Sequence, residues 1–221
     1  MNEFTYKDKK YAHEKYGHDN LLIVLNTHNQ GNRYFGYATL TKLAKSDLLF
    51  ITDPNNSYYL DDDDGQIYKE LILNITKDYS IEKVFIFGTS MAGYAALFYG
   101  SQLGFHIIAS NPQLDLDITY NLSWPSLRET ISKIPNKIPL KELISEKYKG
   151  RSIYIIYGNH RVDIANYNIF NSINFGETLI IKKHINSVAH GFFLEVGTIY
   201  EIQKLLSLAE DTIEYKIPDV I

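Results

Sequence analysis

The sequence predicts an α/β fold with a mostly parallel sheet. Short apolar runs alternate along the chain with segments that have helical spacing. Continuous apolar runs are typical of strands buried on both faces, and their alternation with helices is typical of a parallel sheet. We therefore expect a sheet of about six strands with helices on both faces. The runs lie at residues 21–25, 47–52, 84–87, 105–109, 151–157 and 178–182.

The length and composition are those of one globular domain, which we expect to span residues 1–221. The formal net charge is −4 and no basic run occurs, so we do not expect a nucleic-acid partner. The chain has no cysteine, which excludes disulfides and thiolate metal sites, and we expect no bound metal or resident cofactor. The composition does not decide the oligomeric state.

The sequence shows neither a secretion signal nor a membrane span. Residues 1–10 lack an apolar signal core. No apolar run approaches the roughly 18 residues needed to cross a bilayer. We therefore expect a cytoplasmic protein.

Polar segments and helices separate the apolar runs. Residues 1–19 are polar with scattered tyrosines, which fits either an edge strand or an arm. Four consecutive aspartates at 61–64 fit either a calcium site or a solvated loop before a helix. Their spacing lacks the alternation of a calcium loop, so we favour the loop. Helical spacing predicts helices over 37–45, from 67 to 79, over 91–104, near 164–173 and around 196–206.

The run at 84–87 leads into a segment that predicts a nucleophile elbow, a sharp strand-to-helix turn carrying a reactive serine. Gly88 allows the tight turn, and the turn exposes the hydroxyl of Ser90. The usual pattern is Gly-x-Ser-x-Gly, but Ala92 stands at the second glycine position and Gly93 follows it, so this elbow is a variant. The alternative is a serine that only caps the following helix.

Three loops that follow predicted strands carry the residue types of a catalytic triad. Ser90, Asp163 and His190 occur in the chain order found in α/β-hydrolases. Reactive groups gather at the carboxyl ends of parallel strands, so we expect these side chains to meet. His190 would remove the proton of Ser90, and Asp163 would fix the imidazole tautomer.

The sequence offers alternatives to His190 as the base and to Asp163 as the acid. His190 is favoured because it lies in a loop before a glycine and occupies the expected place in the chain order. The alternatives are His160 and His184 for the histidine, and Asp115 and Asp117 for the acid.

Two further segments are predicted to surround the serine. The oxyanion hole is expected to use the backbone N–H of Met91 and a second N–H from the loop after the first apolar run, at Thr27 or His28. The segment 114–149 contains prolines, short helical pieces and the only tryptophan, Trp124, and it predicts a small cap over the end of the sheet.

The elbow, the Asn-Pro-Gln at 111–113, and the loops of Asp163 and His190 together resemble small bacterial α/β-hydrolase-fold enzymes. These include capsular polysaccharide O-acetyltransferases of the meningococcal serogroup A type. The likeness covers residues 21–208 in the order of motifs. The loop of Asp163 departs from the family pattern, because the acid lies farther from the preceding glycine than expected.

The resemblance implies an α/β-hydrolase fold and a serine that takes an acetyl group and passes it to a sugar hydroxyl. It implies acetyl-CoA as donor, a carbohydrate or small ester as substrate, and substrate contacts from Asn111 and Gln113. In the predicted cap, Trp124 and Tyr120 are expected to stack against a sugar or the acyl donor. The expected function is therefore O-acetylation of a bacterial surface polysaccharide. A carboxylesterase or carbohydrate deacetylase with the same triad is one alternative, and a non-catalytic interaction protein on this scaffold is another.

Overall fold

Eight strands form one sheet in the computed structural model, which describes residues 1–213. The end of the predicted domain, residues 214–221, lies outside the described part. The strands are β1 (Glu3–Tyr6), β2 (Lys9–Glu14), β3 (Leu21–Leu25), β4 (Asp47–Ile51), β5 (Val84–Thr89), β6 (His106–Ser110), β7 (Ile153–Tyr157) and β8 (Ile180–His184).

The strand order across the sheet is β1-β2-β4-β3-β5-β6-β7-β8. The six strands from β3 to β8 pair in parallel, and β2 pairs antiparallel with both β1 and β4. The expectation of about six strands was therefore too low. The two added strands come from residues 1–19. Burial in β2 alternates and β1 is mostly exposed, so neither shows the continuous apolar run by which the other six were recognised.

Helices cover the parallel strands and connect them. Most begin and end close to the predicted positions. The helix predicted over 37–45 is shorter, the helix predicted near 164–173 begins earlier, and the helix predicted around 196–206 continues to Ile213. The helices are α1 (Tyr37–Lys42), α2 (Gln66–Thr76), α3 (Met91–Leu103), α4 (Leu116–Leu122), α5 (Pro125–Ser132), α6 (Leu140–Lys147), α7 (Arg161–Asn171) and α8 (Thr198–Ile213).

The buried side chains form two clusters, one on each face of the sheet. Ile86 of β5 lies in one cluster with Leu97 of α3, and Phe87 lies in the other with Leu206 of α8. Neighbouring residues of a strand point to opposite faces, so β5 contributes to both clusters. Each such buried side chain stabilises the fold by about 1.5–3 kcal/mol. The predicted covering of both faces by helices is present.

The aspartate run at 61–64 leads into α2. Asp63 accepts hydrogen bonds from the backbone N–H groups of Gly65 and Ile67, at 3.0 and 2.8 Å. Asp61 pairs with the buried side chain of Lys9 at 2.5 Å. These contacts satisfy donors at the start of the helix and hold the loop against the β1–β2 hairpin.

The segment predicted as a cap contains α4, α5 and α6. It is joined to the core by the hydroxyl of Tyr94 on α3, which donates to the carbonyl oxygen of Ile138 at 2.8 Å. A second link is Asn166 of α7, whose side-chain oxygen accepts from the backbone N–H of Leu114 at 2.7 Å. Among residues 1–213, no helix combines the length and the apolar character that crossing a bilayer requires.

Candidate active site

Ser90 lies at the sharp turn between β5 and α3. Its backbone has φ 54° and ψ −115°, a conformation that costs energy for a residue with a side chain. A Cβ at Gly88 would lie 2.0 Å from the carbonyl oxygen of Ala92, so only glycine fits there. A Cβ at Gly93 would lie 2.9 Å from the Cα of Pro112. Gly93, one residue after the usual position, is thus the second glycine that the close packing requires.

The imidazole of His190 lies beside the serine hydroxyl. Ser90 Oγ and His190 Nε2 are 2.9 Å apart, although the two residues are 100 positions apart in the chain. His190 follows β8, and Ser90 follows β5. Both lie beyond the carboxyl ends of parallel strands, where the topology of such sheets gathers ligand-binding groups. The side chain of His190 is 11% exposed, so the ring is mostly buried but still accessible to solvent.

Asp163 contacts the other nitrogen of the same imidazole. His190 Nδ1 and Asp163 Oδ1 are 2.5 Å apart, and the Asp163 side chain is fully buried. A carboxylate can only accept, so Nδ1 carries the proton and Nε2 is the acceptor for the hydroxyl of Ser90. This arrangement gives the serine a base within hydrogen-bonding distance.

Asp163 was expected in the loop after β7, but it lies in the first turn of α7. The helix begins at Arg161 because His160 caps it, accepting from the backbone N–H of Val162 at 3.3 Å. The greater distance of the acid from Gly158 therefore reflects a helical turn that brings its carboxylate back toward His190.

The alternative acids have other partners. Asp115 is the N-cap of α4 and accepts from the backbone N–H groups of Asp117 and Ile118, both at 2.9 Å. Asp117 is exposed and pairs with Lys137 at 2.7 Å. The structure joins neither carboxylate to His190.

The alternative histidines have hydrogen-bond partners other than the serine hydroxyl. His184 is exposed, and its Nε2 lies 2.6 Å from the side-chain oxygen of Asn159. The ring of His160 lies 5.7 Å from that of His190, centre to centre. Burial is the main cause of the lowered pKa of His160, which favours its neutral form at neutral pH.

His160, Asp163 and His190 bring potential metal-ligating atoms within 4.8 Å of one another. The hydrogen bond between His190 and Asp163 engages Nδ1 of His190 and Oδ1 of Asp163, and Ser90 contacts the remaining nitrogen of His190. A metal bound through His190 would therefore have to break one of these two contacts. The residues therefore fit a proton-transfer site better than a metal site.

The loop after β3 lies against the elbow, as an oxyanion hole requires. Thr27 donates from its hydroxyl to the carbonyl oxygen of Thr89, the residue before Ser90, at 2.9 Å. His28 Nε2 lies 2.9 Å from the hydroxyl of Thr130 on α5, and burial lowers the pKa of His28. Met91 is the first residue of α3, where backbone N–H groups have no partner within the helix.

Of the residues expected to contact substrate, Asn111 and Gln113 contact the segments that carry His190 and Ser90. Asn111 Nδ2 donates to the carbonyl oxygen of Gly191 at 2.5 Å, beside His190. Gln113 Nε2 donates to Ser90 Oγ at 3.0 Å. Tyr58 donates from its hydroxyl to Gln113 Oε1. Nothing in the sequence indicated Tyr58, because it lies in an unremarkable polar loop far from the other segments.

Trp124 lies at the rim of this cluster, directly before α5. Its ring centre is 5.3 Å from that of His190 and 6.2 Å from that of His160. The cap segment thus places an aromatic side chain next to the candidate base.

Comparison with solved structures supports the α/β fold described above. No protein-family model matches the sequence, and no curated protein sequence is significantly similar to it. The chain is similar to the solved capsule O-acetyltransferase of Neisseria meningitidis serogroup A, with 18% identity over 93% of each chain and a TM-score of 0.69.

Two further solved structures extend the comparison. A mutant of the same acetyltransferase in complex with CoA has 18% identity over 94% of this chain and 93% of that chain, with a TM-score of 0.63. A Staphylococcus aureus protein assigned as an esterase has 16% identity over 95% of this chain and 82% of that chain, with a TM-score of 0.68. The chain therefore has the α/β fold that these hydrolase-like proteins share.

Proposed function

We propose that this protein is a serine-dependent acyltransferase that works through an acyl-enzyme on Ser90. The observation that carries the proposal is the continuous chain of contacts from Ser90 Oγ to His190 Nε2, at 2.9 Å, and from His190 Nδ1 to Asp163, at 2.5 Å. Three distant segments meet with the donors and acceptors that general-base activation of a hydroxyl needs.

In the first half of the reaction, Ser90 Oγ attacks the carbonyl carbon of the acyl donor. His190 Nε2 takes the serine proton, and the imidazolium is stabilised by the buried carboxylate of Asp163. When the tetrahedral intermediate collapses, His190 returns the proton to the leaving group. The acyl group then remains on Ser90 as an ester.

The negative charge of the intermediate needs hydrogen-bond donors. The backbone N–H of Met91, at the start of α3, is one proposed donor, and the loop of Thr27 and His28 supplies the second. The hydrogen bond from Thr27 to the carbonyl oxygen of Thr89 supports this proposal, because it holds that loop beside the elbow. Removing one such donor typically costs about 2.7–4 kcal/mol of transition-state stabilisation.

In the second half, a sugar hydroxyl attacks the ester, and we propose a bacterial surface polysaccharide of the capsular type as the acceptor. Two observations support transfer to a carbohydrate. The ring centre of Trp124 lies 5.3 Å from that of His190, and sugar rings can stack on aromatic side chains of this kind. The fold is shared, over 93% of both chains, with a capsule O-acetyltransferase.

Acetyl-CoA is the proposed donor. The CoA complex of the meningococcal acetyltransferase mutant, which has a similar fold, supports this donor. Acetyl-CoA is also a metabolite of the cytoplasm, where we propose that the protein acts.

Hydrolysis is the second candidate, because water can attack the same acyl-enzyme. The similar TM-score of the esterase-like protein, 0.68, and the partial exposure of His190 to solvent favour this alternative. Whether transfer or hydrolysis predominates depends on how well the site excludes water and orients the sugar hydroxyl.

The test is incubation with p-nitrophenyl acetate, and separately with acetyl-CoA, in the presence and absence of candidate polysaccharides. We expect a burst of p-nitrophenol that Ser90→Ala abolishes, and acetylated sugar among the products. Acetate as the sole product would select the esterase. Absence of a burst and of labelling by a fluorophosphonate would contradict both and leave a binding protein on this scaffold.

A further inference from the structure

A buried amide contacts the nucleophile in addition to His190. Gln113, in the segment between β6 and α4, is fully buried, and its Nε2 donates to Ser90 Oγ at 3.0 Å. The hydroxyl of Tyr58, from the loop after β4, donates to Gln113 Oε1. Ser90 Oγ therefore has two partners, an amide donor and an imidazole acceptor.

The contact with Tyr58 fixes the direction of the amide. Burial raises the pKa of Tyr58, so its hydroxyl keeps its proton and donates. The amide oxygen is an acceptor only, so it faces Tyr58 and the N–H groups face Ser90. An amide turned over would present its oxygen to Ser90 and compete with His190 for the serine proton.

The loop that carries Tyr58 is held in a strained conformation. Tyr58 and Tyr59 have φ of 59° and 60°, in the left-handed region. The buried carboxylate of Asp53 anchors the loop, accepting from Ser57 Oγ at 3.0 Å and from the backbone N–H of Tyr59 at 3.1 Å. Strain of this kind persists where the surrounding contacts enforce it, and it is frequent at active sites.

We propose that Gln113 is a catalytic residue that stabilises Ser90 Oγ as the leaving atom when the acyl-enzyme breaks down, and that Tyr58 is its positioning residue. The proposal rests on the acyl-enzyme of the proposed function. In that step the acceptor oxygen bonds to the acyl carbon and passes its proton to His190 Nε2. The bond from carbon to Oγ then breaks, its electron pair goes to Oγ, and His190 returns the proton to Oγ.

The amide N–H of Gln113 contacts the atom on which charge accumulates during this step, so it lowers the barrier to breakdown. Before the first attack the same N–H already contacts the serine hydroxyl, which is a stronger acceptor than the ester oxygen of the acyl-enzyme, so this hydrogen bond strengthens less on the way to the transition state of acylation. The contribution of Gln113 therefore falls mainly on deacylation.

The test separates the two steps by stopped-flow kinetics with p-nitrophenyl acetate. The burst rate reports acylation, and the subsequent steady-state rate reports deacylation. For Gln113→Met, which keeps the volume and removes the donor, we expect deacylation to slow by about tenfold or more while acylation changes by less than about threefold. For Tyr58→Phe we expect the same direction with a smaller factor.

Equal slowing of both steps, or no change in either, overturns the proposal. If circular dichroism shows that Gln113→Met does not fold, the burst and steady-state rates of Tyr58→Phe test the proposal instead, because that substitution removes only a single oxygen from a packed ring. Absence of both a burst and labelling by a fluorophosphonate in the unsubstituted protein would instead contradict the proposed function, and this inference with it. A normal burst followed by equal slowing in the variants overturns this inference alone.

Discussion

Asn111 Nδ2 donates a hydrogen bond to the carbonyl oxygen of Gly191 at 2.5 Å, and Gly191 is the residue after His190. Asn111 directly follows β6, and its backbone N–H donates to the carbonyl oxygen of Ile156 on β7 at 2.7 Å. The loop that carries the candidate base is thus tied to the middle of the sheet by one side chain. We infer that Asn111 positions His190, although the sequence suggested a substrate contact.

Removing this side chain is expected to slow acylation. The φ of Asn111 is 46°, so Asn111→Gly keeps the backbone conformation accessible while deleting the hydrogen bond. We expect the burst rate with p-nitrophenyl acetate to fall by about tenfold or more, since small displacements of a catalytic group have large effects on rate. Thermal unfolding serves as the control for folding. An unchanged burst rate in the folded variant would show that the loop holds His190 without Asn111.

The two neighbouring histidines are expected to differ sharply in importance. His190→Ala removes the base, and we expect the burst rate to fall by at least about a thousandfold. His160→Asn is the matched control, because asparagine is a favoured N-cap and can replace the cap that His160 provides to α7. We expect this variant to keep a burst rate within a few-fold of the unsubstituted protein.

Circular dichroism should show that both histidine variants fold. If His160→Asn abolished the burst and His190→Ala retained it, the roles proposed for the two rings would have to be exchanged.

Asp53 is expected to make stability depend on pH. Burial raises its pKa to about 6, from an ordinary value of 3.8. Between these two values the folded chain binds more protons at Asp53 than the unfolded chain does. Its contribution to the free energy of unfolding therefore falls as pH rises through this interval, by a few kcal/mol in order of magnitude, and is constant above it.

Asp53→Asn removes the titration and isolates this contribution. We expect the unfolding free energy of the unsubstituted protein, minus that of the variant, to decrease from about pH 4 to about pH 6 and then level off. Urea denaturation at several pH values measures this difference. A difference that rises with pH, or does not vary, would show that the folded pKa of Asp53 is not raised.

The parts of the fold visible in the sequence are those made by local patterns. Five of the six parallel strands are largely continuous apolar runs, β8 begins within such a run, and the elbow is a local motif around Ser90. The hairpin of β1 and β2 was undecided because β1, at the edge of the sheet, is mostly exposed and burial in β2 alternates, so both sequences resemble a polar arm.

Contacts between distant segments were harder to predict. The order of Ser90, Asp163 and His190 along the chain suggested their meeting, because the carboxyl ends of parallel strands converge. The hydrogen bond from Tyr58 to Gln113 has no such rule behind it. It depends on the loop conformation set by the buried carboxylate of Asp53 and on positive φ at two tyrosines, which nothing in the local sequence indicates.

Trp124 is expected to influence what attacks the acyl-enzyme more than how that intermediate forms. Its ring lies 5.3 Å from the ring of His190, at the side of the site formed by the cap segment. An aromatic face there can bind a sugar ring and displace water from the acyl-enzyme.

For Trp124→Ala we expect the ratio of acetylated sugar to free acetate to fall by about tenfold, which corresponds to a loss of about 1.4 kcal/mol. The burst rate should change little, because Ser90, His190 and Asp163 keep their contacts. Trp124→Phe, which retains an aromatic face, should give a product ratio between that of the unsubstituted protein and that of Trp124→Ala. If Trp124→Ala lowered the burst rate and left the product ratio unchanged, the ring would support His190 and would not bind the acceptor.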